Sequence, residues 1–214
     1  GIGRLVVEGG AVLGDVERHR AVALAQVNFL LRQHQTRRYQ ERALDTYTDE
    51  PFRAVDWQLQ GMTQTGDKTY GTAEEWGLVT KRVASVPAFL KVAQDQITAG
   101  VAAKNTPDWR MLIRNGIDTS EANAKYFQET LPKLAEERMS GPNRDEMLKQ
   151  FRDAAQQAST AYTGLRNFVA STFFDDATKK DGSGIKPEFR ADRYVMGEVE
   201  YNWAVKNNLQ VNKT

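Results

Sequence analysis

The stretch Asn143–Phe173, NRDEMLKQFRDAAQQASTAYTGLRNFVASTF, decides the fold class. Leu148, Phe151, Ala155, Ala158, Tyr162, Leu165, Val169 and Phe173 recur at gaps of three and four, the spacing that lines one face of an α-helix. A helical period unbroken from Leu148 to Phe173 leaves no place for a strand there. Ser140-Gly-Pro-Asn143 punctuates the stretch in front. Behind it, Asp175 to Lys186 reads as a loop built around Gly182 and Gly184.

The same period runs through the rest of the chain. From Asp15 to about Leu44, Val16, Ala23, Val27, Leu30, Leu31 and His34 fall on one stripe, so a second long helix of about 45 Å is expected, with Asp15 as its N-cap. Pro51 is expected at the first position of a helix carrying Val55, Leu59 and Met62. Thr72-Ala-Glu-Glu75 has the form of a capping box ahead of Trp76, Val79, Val83 and Val86. Pro87 is expected to open a new helix with Phe89, Leu90, Ala93 and Ile97, and Thr106-Pro107 another with Trp109, Leu112, Ile113, Ile117, Ala124, Phe127 and Leu131. Pro132 should kink or break the latter. Only Leu5-Val6-Val7 could be a short strand. The reading is all-α: a layered array or bundle of about six to eight helices, two of them long, forming one helical domain over 1–214 with 1–14 and 175–190 irregular.

Composition narrows the function classes. The chain has 214 residues, 40% hydrophobic and 27% charged, with a mean hydropathy of −0.60. That is enough to bury a sizeable core, and no apolar run approaches the roughly 18 residues of a membrane span. Lys+Arg 29 against Asp+Glu 28 leaves +1, which gives no footprint for nucleic acid. Cysteine is absent, so disulfides, thiolate nucleophiles and cysteine zinc sites are excluded, and the compartment stays open between exported and cytoplasmic. No charged stretch followed by an apolar run suggests a signal peptide. Val199–Leu209 reads as a short amphipathic helix without a strong terminator, so the chain is expected to be the N-terminal part of a longer one.

No catalytic, cofactor or metal residues are expected within this chain. His19 and His34 lie 15 positions apart, about 22 Å along one helix, too far to share an ion. His34 is expected at the core or its boundary and His19 at the surface. Val16 and Leu31 stand where a Glu-x-x-His motif needs glutamate. Asp175–Gly182 lacks the closing glutamate of a calcium loop and carries Lys179 and Lys180 in its middle, so it reads as a solvated turn. Gly182-Ser-Gly184 is followed by Ile-Lys-Pro and makes no phosphate loop. The adjacent pairs Glu74-Glu75 and Glu136-Glu137 diverge on a helix and form no acid/base dyad. Arg32, Arg37, Arg38 and Arg42 could hold phosphate, but Glu41 and Asp45 dilute them, and a solvated face is the simpler reading.

Two motifs carry a family resemblance. Arg82-x-x-x-x-Pro87-x-Phe89-Leu90 crosses an expected helix boundary, and Gly197-Glu198-x-x-Tyr201 lies near the chain end. With Gly100, Thr106-Pro107 and Ala161-Tyr162 in order between them, the chain resembles the bacterial family called domain of unknown function 885, from about Asp15 to Leu209. The resemblance implies a largely helical protein related in fold to zinc carboxypeptidase-like enzymes. In full-length members a His-Glu-x-x-His helix and a later glutamate would hold zinc, and the motif glutamate would activate water. Those residues are missing here, so no catalytic residue carries over and no cofactor is implied within this chain. What the resemblance implies is a non-catalytic helical region of a zinc-dependent, peptidase-like hydrolase that shapes a substrate cleft. Its partners would be the C-terminal catalytic remainder of the parent chain and a peptide-like substrate. Arg193, Glu198 and Tyr201 are the candidate cleft-lining residues, though helix packing and a surface ion pair explain them equally. The alternative is a stand-alone helical interaction module without enzymatic role.

Overall fold

The computed structural model describes residues 14–64, 70–190, 192 and 197–209. Leu5-Val6-Val7 and Arg193 lie outside these residues. The protein is all-α: among the described residues the only β pairings are two isolated bridges, Gln64 with Tyr70 and Phe174 with Ile185. Two compact units make up the chain, Gly1–Tyr39 with Tyr194–Thr214, and Gln40–Arg193.

The larger unit holds the core. Its helices are α2 (Leu44–Gln60), α3 (Ala73–Ala102), α4 (Trp109–Met111), α5 (Ser120–Lys125), α6 (Leu131–Arg138) and α7 (Arg144–Phe173), while α1 (Asp15–Leu31) and α8 (Glu198–Asn207) belong to the smaller unit. The stripe read in α7 is the seam of the molecule. Leu148, Phe151, Ala155, Ala158, Tyr162, Leu165, Val169 and Phe173 are all buried, and α3 packs along it. The Trp76 ring of α3 meets Phe151 edge-on at 5.6 Å, and Phe127 stacks on Tyr162 at 5.6 Å. The alanines keep the seam narrow enough for neighbouring helices to approach.

The two longest helices are α3 and α7, 30 residues each. The expected long helix over Asp15–Leu44 is corrected. Its α-helical part ends at Leu31 in a π-turn, Arg32–Thr36, and Arg38 then takes the left-handed φ of +48°. Gln33–Gln40 has no aliphatic side chain whose burial would hold those turns together. Gly14, one residue before Asp15, is the N-cap.

The prolines also depart from expectation. Pro87 does not open a helix; it sits inside α3. One missing hydrogen bond is outweighed there by the buried Val79, Val83, Val86 and Leu90 around it. Pro51 lies within α2. The turn it opens is filled from two other helices: the Thr48 carbonyl accepts the Tyr162 hydroxyl at 2.8 Å and Asn123 Nδ2 at 2.9 Å, and the Phe52 amide reaches the same Tyr162 hydroxyl. Burial pushes the Tyr162 phenol well above its ordinary range. At Pro132 the chain neither breaks nor reverses. A π-turn, Tyr126–Thr130, ends with the Leu131 amide donating to the Tyr126 carbonyl, and α6 begins at once with Pro132 in its first turn, where no donor is needed. Thr106-Pro107 is not the helix start either; Asp108 caps it by accepting from the Arg110 amide at 2.9 Å.

The capping box is present as read. Glu75 N–H donates to Thr72 Oγ1 at 3.2 Å, and Glu75 Oε2 accepts from the Thr72 amide at 2.7 Å. The other carboxylate oxygen accepts from the Thr63 amide and hydroxyl. These bonds, the Thr72 amide first, lower the Glu75 pKa below its ordinary value. A depressed carboxylate contributes stability that is present above its unfolded pKa and is lost as pH falls through the folded one. Glu75→Gln should therefore lower stability at pH 7, and the gap to wild type should close as pH drops below about 4. Urea melts at pH 7 and pH 3 check this; an equal gap at both would remove the charge from the account.

Candidate functional site

The first motif builds a groove. Arg82 and Phe89 project from α3 toward α2, where the Arg82 guanidinium donates to the Ala54 carbonyl at 2.7 Å and Phe89 meets the Tyr47 ring edge-on at 5.8 Å. Between them lies an open cleft of about 440 Å³, floored by Pro51, Ala54 and Val86 and walled by Trp57, Arg82 and Phe89. Glu50 and Ser85 complete its rim. Leu90, the last motif residue, is buried in the core instead. The groove is largely apolar, with one cation and one anion. The one hydroxyl in its lining, Ser85 Oγ, donates to the Arg82 carbonyl at 2.7 Å.

The second motif lies on α8. Gly197 is the residue before the helix and takes φ +82°, a left-handed conformation that a side chain would strain. Glu198 and Tyr201 are both exposed, and Arg193 falls outside the described residues. The residues that do engage are Glu200 and Trp203, which sequence reasoning passed over. Arg32 Nε donates to Glu200 at 3.0 Å, a second guanidinium nitrogen pairs with the other carboxylate oxygen, and the guanidinium lies 4.7 Å from the Trp203 ring. The hydrogen bonds to Arg32 lower the Glu200 pKa, and Glu200 raises that of Arg32. Of the suspected phosphate cluster, Arg32 is thus turned to Glu200, and Arg37 donates to Gln33 at 3.2 Å.

Elsewhere the polar groups serve the fold. The Asp175–Gly182 stretch is a turn closed on itself: Asp176 accepts from the Thr178 hydroxyl and amide, and Asp181 from the Ser183 amide. Bonding to the Thr178 hydroxyl and then its amide holds the Asp176 carboxylate below its ordinary pKa, and bonding to the Ser183 side chain and then its amide does the same for Asp181. Asp108 is buried against Arg110, which also reaches Asp192. Tyr126, packed on Phe52 and Phe127, has its pKa pushed up to about 12 by burial.

His19 and His34 are both exposed, which corrects the core or boundary placement of His34. His34 lies in the π-turn Arg32–Thr36, none of whose residues is buried. Among the described residues no three His, Cys, Asp or Glu side chains come together to hold a metal ion. The donor set present does not fit the zinc that the resemblance implies for longer chains. Among the described residues, no helix is long and apolar enough to cross a membrane.

Residues 11–214 match the family described as "Bacterial protein of unknown function (DUF885)". The chain belongs to this family. Both motifs fall inside the match, and they are split between the two units, the first on α3 and the second on α8. No curated protein and no solved structure matches the chain.

Proposed function

We propose that the chain is the non-catalytic helical region of a zinc-dependent, peptidase-like hydrolase, walling a cleft for a peptide-like substrate and packing against a catalytic part. One observation carries this reading. In the smaller unit the apolar side chains of α1 and α8 are uncovered: Val16 is 82% exposed and Val199 77%, with Leu24, Val27, Leu30 and Leu31 about half exposed, and Ala25 alone is buried on α1. Amphipathic helices in a finished core hide that face, and an exposed apolar patch of this extent marks a surface that packs against something. Glu198 and Tyr201, exposed on α8, remain the candidate cleft-lining residues there.

The test is the reading frame beyond Thr214. A His-Glu-x-x-His motif within the next few hundred codons supports the proposal; a stop codon favours the alternative, a helical interaction module using the same face. The chemistry of the isolated chain is a second check. After dialysis against a weak chelator, elemental analysis should find less than about one-tenth of a zinc ion per chain, because two separated histidines and no thiolates leave carboxylates as the main donors, and carboxylates alone seldom hold a catalytic zinc. Stoichiometric retained zinc would contradict the non-catalytic role.

A further inference from the structure

The two charges of the α2–α3 groove have no part in the proposed function, which rests on α1 and α8. The Arg82 guanidinium spends one N–H donor on the Ala54 carbonyl, and that contact fixes it at the groove's edge. Among the described residues no carboxylate pairs with Arg82 and no cation pairs with Glu50. Arg53, three residues beyond Glu50 on α2, is turned to Asp49 instead, at 3.6 Å. Glu50 and Arg82 thus line one cleft without reaching each other, and the surface around them is apolar: Pro51, Ala54 and Val86, with the exposed rings of Trp57 and Phe89. A charge beside apolar surface is partly stripped of water, so each of the two gains from a counter-ion brought into the groove.

The spacing of these groups selects the ligand. α2 and α3 run antiparallel here: Arg82 meets Ala54 and Phe89 meets Tyr47, so Glu50 stands opposite Val86. That puts the anion four residues from the cation along the helices, about 6 Å. Trp57 lies three residues beyond Ala54 and Phe89 three beyond Val86, so a ring flanks each charge on its outer side. The order along the groove is ring, cation, anion, ring. Its complement reads apolar group, carboxylate, ammonium, apolar group. A free amino acid holds its two charges only about 3.5 Å apart and has a single side chain. An extended dipeptide separates them by about 6 to 7 Å and carries one side chain near each end.

We propose that this groove binds the zwitterion of an apolar dipeptide, its carboxylate on Arg82, its ammonium on Glu50, and its two side chains against Trp57 and Phe89. The guanidinium fork matches a carboxylate in shape as well as charge. A cleft of about 440 Å³, mostly apolar with a few placed polar groups, has the size and lining of a small-molecule site. Every residue of the site belongs to the larger unit, so the inference stands whether or not the chain packs against a catalytic part.

The test is an NMR titration of the full chain with leucyl-leucine, following the Trp57 indole N–H. The chain has four tryptophans, and the Trp57 signal is the one missing from Trp57→Phe. That signal should shift and saturate with a Kd at or below about 1 mM. N-acetyl-leucyl-leucine lacks the ammonium and leucyl-leucinamide the carboxylate; each should bind at least about fivefold more weakly, and so should free leucine. Glu50→Gln should weaken leucyl-leucine by the same factor and leave the acetylated ligand unchanged, whereas Arg82→Gln should weaken leucyl-leucine and leave the amide unchanged. Glu50 and Arg82 are exposed, so thermal melts of both variants should match wild type. A Trp57 signal that does not saturate by about 10 mM overturns the proposal. So does acetylated ligand or free leucine binding as tightly as leucyl-leucine, or a Glu50→Gln protein that treats leucyl-leucine as wild type does.

Discussion

Leu165→Ala is expected to cost about 2 to 5 kcal/mol in a denaturant melt, while Gln156→Ala and Gln157→Ala should leave stability nearly unchanged. Leu165 is fully buried on the α7 seam, so its loss removes apolar surface from the core and leaves a cavity that the neighbouring helices close only in part. The two glutamines lie on the exposed face of the same helix, eight and nine residues away. Overpacking gives the converse test. Ala158 is fully buried, and Ala158→Leu should destabilise by about 1 to 3 kcal/mol. If the glutamine variants cost as much as Leu165→Ala, the assignment of the α7 faces is wrong.

How much of this was legible beforehand depends on what sets each feature. The α7 seam and the Thr72–Glu75 box were, because both are local: a periodic stripe specifies its own buried face, and a capping box closes within one turn. The α1 stripe was legible as amphipathic and misleading as core. Periodicity says which residues share a face and is silent on whether anything covers it, and Val16, Val27, Leu30 and Leu31 remain exposed. The prolines mislead for a similar reason. Pro87 and Pro51 each cost a backbone bond, but the outcome depends on the surrounding burial and on side chains such as Tyr162, 111 residues beyond Pro51 in sequence.

The candidate site was half legible. Arg82 and Phe89 stood out in the first motif, yet a groove needs its second wall, and Glu50, Ala54 and Trp57 come from another helix with no motif of their own. On α8 the motif drew attention to Glu198 and Tyr201, while the contacts with Arg32 belong to Glu200 and Trp203. Each is one or two positions from a motif residue. On a helix that offset is a rotation of 100° or more, enough to exchange an outward side chain for an engaged one.

Gly184→Ala should be among the most damaging small substitutions in the chain. A methyl group there would lie 1.9 Å from the Asp176 carbonyl oxygen, which is backbone and cannot rotate aside. The contact is tight because both the Asp175 and Asp176 amides donate to the Gly184 carbonyl, at 2.9 and 3.1 Å, closing the loop on itself. That loop in turn holds the end of α7. Ile185 is fully buried, the Lys186 amide donates to the Phe173 carbonyl, and Lys186 Nζ donates to the Ser171 and Thr172 carbonyls that the helix end leaves open. Displacing Gly184 therefore loosens the closing loop and the last turn of α7 together, and the loss should reach or exceed the upper end of the ~1–3 kcal/mol typical of overpacking. Two other glycines provide the control. A Cβ on Gly77 meets nothing within 4 Å, and one on Gly164 meets only Gln94 Nε2 at 3.9 Å. Both lie inside long helices at ordinary helical φ, so Gly77→Ala and Gly164→Ala should instead stabilise by about 0.4–1 kcal/mol through the unfolded chain. Denaturant melts rank the three variants, and limited proteolysis should show new cleavage between 175 and 190 in Gly184→Ala alone. A Gly184→Ala protein as stable and as protease-resistant as wild type would mean that the loop does not hold the α7 terminus.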